Sequence, residues 1–141
     1  LEDQENVLII ILYHDDDGVI HAKKINTPTT LPTVTSAETN YLAFGVLSVD
    51  YHIELYGYLQ NKTGKCTVSA CDKYITEQTG LFDPALHSKI SSFINDRGRT
   101  TEYKTLPTYI RNLIDHPKPD QSYTQEELKR SIELLIRLCQ R

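Results

Sequence analysis

The sequence predicts a mainly α fold of the α+β kind: a small helical bundle preceded by an N-terminal β-hairpin. Three observations carry this expectation. First, the apolar run VLIIILY (7–13) is followed by HDDDG and then by VIHAKKI (19–25), two strand-like segments joined by turn formers. Second, Thr35–Glu38 and Thr124–Glu127 have capping-box spacing, each in front of an apolar stripe. Third, Asp83-Pro84 and Leu106-Pro107 place proline where helices begin. A chain of 141 residues is one domain's worth of core. The expected layout is a single domain over 1–141. Residues 1–35 form the hairpin and a Pro/Thr connector, and 36–141 form the bundle.

The elements follow in order. In the Asp15–Asp17 run, Asp bonds its own backbone and Gly18 supplies a positive φ, so the run reads as a solvated turn. NTPTTLPTVT (26–35) holds two prolines and five threonines and reads as an extended connector. Leu42, Val46, Val49, Ile53 and Tyr56 recur at three- and four-residue steps, which predicts one long helix over about 36–60. Residues 61–82 read as irregular, with a helical piece around DKYITEQ. A middle helix is expected over about 84–96, with Leu86, Ile90, Phe93 and Ile94 as its apolar face and Gly98 as its stop. RGRTTEYKT then reads as a polar loop. A short helix runs from Leu106 to Asp115, ended by Pro117 and Pro119. Leu128, Ile132, Leu135, Ile136 and Cys139 stripe a last helix.

Composition excludes several classes. Net charge is −4, against a broad basic surface for duplex DNA. The apolar run at the front is too short to span a bilayer, and no basic segment precedes it as in a signal peptide. Three cysteines, an odd number with no secretion signal, point to a reducing, cytoplasmic setting. The chain lacks Met even at position 1, which suggests a piece of a longer protein. There is no GxGxxG, no GK[ST] loop, no HExxH and no CxxC, so no cofactor is expected. Cys66 and Cys71, with His87 downstream, read better as small packed thiols than as zinc ligands. Asp50, His52 and Glu54 do not share a helix face, and His52 is expected on a polar flank. His14 and His21 flank the DDDG turn and fit a solvated hairpin end. Ser69, Ser91 and Ser92 lie outside any nucleophile-elbow context.

The segment TLPTYIRNLIDHPKP carries the chemistry. On a helix, Asn112 and His116 are four apart and share a face. His116 is the last residue before the Pro117 break, where it can lean outward beside Arg111. Histidine moves protons near neutral pH, and arginine stays charged and grips phosphate with two donors. Those two functions serve attack of a 2′-OH on the neighbouring phosphate. The bland reading is a helix end in which Arg111 pairs with Asp115 and His116 is favoured by the helix dipole.

RNLIDHP, then KPDQS, then YTQEELKRSIELLIRLC, resembles the HEPN superfamily, which implies that the chain is the C-terminal part of a defence-associated ATPase. The superfamily's ribonuclease members carry Arg, a polar residue and then His near a helix end before a last helix. The likeness covers about residues 105–141. It implies Arg111 and His116 as catalytic and Asn112 as the polar residue that orients them. Lys104, Tyr109 and Lys118 would bind substrate. It implies metal-independent cleavage of RNA, tRNA among the candidates, by a homodimer. It also implies a place in a toxin or anti-phage defence system with a fused or associated ATPase. The hairpin and Pro/Thr connector depart from the family pattern. The alternative is a non-catalytic interaction or oligomerisation domain attached to such an ATPase.

Overall fold

In the computed structural model, which describes residues 6–141, two antiparallel hairpins and six helices alternate along the chain. Residues 1–5 of the expected hairpin segment lie outside the described residues. The chain divides into two units, 1–48 and 49–141.

In the first unit, β1 (Asn6–His14) pairs with β2 (Ile20–Pro28), Ile9 facing Ile25 and Tyr13 facing His21. Asp15 closes the turn. Its Oδ1 accepts from the backbone N–H of Asp17 and Val19, each at 2.9 Å, and Gly18 takes φ +78°. Ile9 is buried, whereas Leu8, Ile10 and Leu12 on the alternate face are 58%, 55% and 68% exposed. The hairpin arises as expected, and its second strand runs on to Pro28, three residues into the segment expected as connector.

Helix α1 (Ser36–Phe44) follows, with Thr35 as N-cap. The buried Glu38 carboxylate accepts from the backbone N–H of Thr30 and Leu31, which fastens the Pro/Thr connector to the helix. The expected single helix over 36–60 does not form. Gly45 takes φ +67°, and the N–H groups of Gly45 and Val46 bond back to Tyr41 and Asn40. This is a Schellman-type stop, which Gly adopts without a Cβ penalty.

The second unit starts afresh with α2 (Val49–Thr63). Its buried face is Tyr51, His52, Leu55, Tyr56 and Leu59, so the apolar stripe inferred from sequence was out of phase. Val46, Val49 and Ile53 are exposed. His52 is completely buried and does not lie on a polar flank. α3 (Val68–Thr76) contains the helical piece expected near DKYITEQ.

The middle helix is the second correction. Asp83 caps a single turn, α4 (Pro84–His87), and the chain then continues as β3 (Ser88–Ile94). The presumed polar loop is β4 (Thr100–Thr105), paired antiparallel to β3. Two physical reasons favour strands here. Asn95 Oδ1 accepts from the N–H of Arg97 and Arg99, and Gly98 takes φ +73°, which makes a hairpin turn of NDRG. Period-two alternation then turns Lys89, Ser91 and Phe93 inward, while Ile90 and Ile94 are 71% and 66% exposed.

α5 (Leu106–Asp115) and α6 (Gln125–Cys139) form as expected, and Thr124 and Glu127 make the full capping box. α6 packs against α2 and α5 and contributes buried Leu128, Ile132, Leu134, Leu135 and Leu138 to the core. Among the described residues no helix is long and apolar enough to cross a membrane.

Candidate functional site

Helix α5 is positioned from its N-terminus by a buried carboxylate. Asp72 of α3 accepts from Lys104 N–H at 2.9 Å, from Thr105 N–H at 3.1 Å and from the Thr105 hydroxyl at 2.6 Å. Thr105 Oγ1 in turn accepts from Thr108 N–H as the N-cap of α5. Thr108 Oγ1 lies 3.0 Å from the hydroxyl of Tyr56 on α2. Burial pushes the Tyr56 phenol up, and it raises the neighbouring Cys71 thiol to about 11, so both stay protonated. Three helices and a strand thus meet in one polar cluster that fixes where β4 ends and α5 begins.

Along α5, residues 109, 112–113 and 116 form one row that faces β3. The inner side chains of β3 run beside it. Lys89 Nζ stands 4.5 Å from the Tyr109 ring centroid, and the Phe93 ring lies 5.4 Å from the His116 ring at 36°. Ser91 sits between these two contacts. A pocket of about 20 Å³ opens there, lined by Ser91, Phe93, Asn112, His116, Lys118 and Gln121 among others. That enclosed space takes about one water-sized group.

The residues expected from sequence separate into two groups. Asn112, His116 and Lys118 line this pocket together with Tyr109. His116 caps α5, its N–H bonded to Asn112 O at 2.8 Å; the residue is exposed, and its ring lies against that of Phe93. Arg111 lies on the flank of α5, outside the pocket lining. It forms the i,i+4 ion pair with Asp115 at 2.8 Å, and its Nη1 donates to Asn112 Oδ1 at 3.0 Å. Arg111 therefore reaches the pocket through Asn112, whose amide oxygen it holds.

Tyr109 is buried and its hydroxyl donates to Ser122 O at 2.9 Å, so it ties α5 to the loop before α6. Its ring is covered by Lys89 and is not free to stack on a base. Lys104 is exposed on the outer face of β4, outside the pocket lining. The residues missed were Ser91, Phe93 and Gln121. For Ser91 and Phe93 the available signal was NDRG, the same Asx-x-x-Gly pattern as DDDG, which fits a hairpin turn as well as a helix end; Gln121 had no such signal.

Two other histidines are engaged elsewhere. His52 Nε2 lies 2.7 Å from Ser131 Oγ in the core, and burial pushes its imidazole down to about 3. His87 Nδ1 accepts from Asp83 N–H at 2.9 Å. Burial first, then Arg137, holds its pKa below the usual histidine range despite the nearby Asp83. Among the described residues no three His, Cys, Asp or Glu side chains gather as a metal-binding group. All three cysteines are free thiols, Cys66 exposed and the other two buried. A larger, open hollow of about 410 Å³ beside Arg137 and Arg141 contains no proton carrier. Comparison with family models, curated proteins and solved structures gave no match.

Proposed function

We propose that this chain is a metal-independent endoribonuclease of HEPN type, in which His116 works at the pocket at the end of α5. The supporting observation is that His116, Asn112 and Lys118 line one pocket that contains no carboxylate. The reaction would be transesterification. His116 takes the proton of a ribose 2′-OH, whose oxygen attacks the adjacent phosphorus. The P–O5′ bond breaks, the 5′-oxygen leaves by taking a proton from water, a 2′,3′-cyclic phosphate remains, and His116 returns its proton to solvent. Lys118 and the Asn112 amide hold the phosphate oxygens as charge builds. Arg111 keeps Asn112 in its working orientation and acts as a positioning residue in this arrangement. The setting implied by the resemblance is a toxin or anti-phage defence system, a homodimer and an associated ATPase.

The test is incubation with tRNA and mixed single-stranded RNA in EDTA, beside His116→Ala and Arg111→Ala. Cleavage by the native protein, abolished in His116→Ala and strongly reduced in Arg111→Ala, supports the reading. Cleavage that persists in His116→Ala refutes the assignment.

A second reading, a non-catalytic oligomerisation domain, is favoured by one observation: the uncovered row of Leu8, Ile10 and Leu12 on β1. It expects concentration-dependent self-association that Leu12→Lys abolishes, with no cleavage of any RNA.

A further inference from the structure

The Ser91 hydroxyl is a buried polar atom without a hydrogen-bond partner. Such an atom destabilises a folded protein unless something outside the chain satisfies it. Ser91 faces the α5 row at the level of Asn112, held there by the Lys89–Tyr109 and Phe93–His116 contacts on either side of it. It lines the same small pocket as Asn112, Lys118 and Gln121.

The polarity of that pocket is one-sided. Arg111 donates to Asn112 Oδ1, so the amide oxygen is engaged and the NH2 group remains to offer donors. The Tyr109 hydroxyl is committed to Ser122 O. Lys118 supplies the formal positive charge, and no Asp or Glu is among the lining residues. In a chain of net charge −4, that is a local site for a negative group. A space of about 20 Å³ accepts a single oxygen and leaves the rest of its owner outside.

We propose that Ser91 Oγ and the Asn112 amide form a notch for one non-bridging oxygen of a phosphate group, with Lys118 at its rim. The proposal rests on the ribonuclease reading for its natural ligand, a phosphodiester of single-stranded RNA. It gives β3 a role in binding that the RNLIDH motif does not contain. A phosphate held there lies beside the His116 ring, which places the adjoining ribose within reach of the imidazole. Recognition at this point is of the backbone and not of a base.

Ser91→Ala is a clean probe, because it removes a hydroxyl that makes no bond within the protein. The experiment titrates inorganic phosphate into the 15N-labelled native chain and into Ser91→Ala, following the Asn112 side-chain NH2 resonances. Circular dichroism of both proteins checks that the variant folds. Saturable shifts in the native chain, weakened about tenfold in Ser91→Ala, support the notch; that factor corresponds to about 1.4 kcal/mol, in keeping with loss of one charge-assisted bond. Absence of a saturable shift in the native chain, or equal affinity in Ser91→Ala, overturns it. RNA cleavage by Ser91→Ala separates the two proposals. Cleavage with unchanged KM and kcat sinks the notch and leaves the ribonuclease. Serine-dependent phosphate binding without cleavage of any RNA keeps the notch and sinks the ribonuclease.

Discussion

The two hairpins of this protein share one turn and differ in almost everything else. Asp15-Asp16-Asp17-Gly18 and Asn95-Asp96-Arg97-Gly98 each use an Asx oxygen to bond two downstream N–H groups, and each places its glycine at positive φ. The strands beside the first turn are rich in Ile and Leu, yet one face of β1 is left uncovered. The strands beside the second read SKISSFI and TTEYKT, far more polar, yet their inner face lies against α5. The difference teaches that apolar content does not decide which sheet face is covered. The second hairpin is held by particular contacts: Asp72 on the end of β4, Lys89 on Tyr109 and on Glu127, and Phe93 on His116.

The sharpest way to break this contrast is Asp72→Ala. It strips the partners from two backbone N–H groups and a buried hydroxyl, and should cost about 3 kcal/mol or more. Urea unfolding of the second unit reads that loss, and a cost below about 1 kcal/mol would show that β4 is anchored by something else.

Acid should also divide the two units. The folded pKa of His52 is below its ordinary value, so the unfolded chain binds the extra proton. Stability from this group is fully present above about 6.5 and is lost as pH falls toward about 3. The slope is at most about 1.4 kcal/mol per pH unit, and His87 adds to it in the same direction. His52→Gln should flatten the pH dependence of denaturant midpoints over that range. In the first hairpin, the His21 hydrogen bond lowers the Asp15 pKa, but the pair is exposed to solvent and should leave no comparable trace.

Smaller effects test the shared turn and the bare face. Gly98→Ala and Gly18→Ala each force a Cβ into positive φ, at a cost of about 1 kcal/mol. Only the former should lower the unfolding midpoint followed by the Tyr103 or Tyr109 signal. Ile10→Thr, on the uncovered face of β1, should change monomer stability by less than about 0.5 kcal/mol. A much larger loss would mean that this face is covered in solution.

The first hairpin, the Thr124–Glu127 capping box and the bounds of α5 were legible because each depends on neighbours a few residues away. Gly45 was legible too, but the apolar recurrence across it masked its left-handed stop. The 88–105 hairpin was missed because Leu86, Ile90, Phe93 and Ile94 recur at helical spacing, whereas NDRG serves equally as a helix end or a hairpin turn. At the site, sequence spacing placed Asn112 and His116 on one face of α5. It also offered the i,i+4 pair of Arg111 with Asp115, which forms, but not the bond from Arg111 to Asn112.

By itself, then, the sequence determined the turns, the caps and the face of α5 that bears Asn112 and His116. These are local matters of φ, proline and hydrogen bonds within one turn of chain. Only the tertiary structure decided that β3 lies along that face, that Ser91 meets the pocket and that His52 is buried. Those depend on residues far apart in the chain, such as Asp72 with Thr105 and His52 with Ser131, whose pairing energy exists only once the core has brought them together.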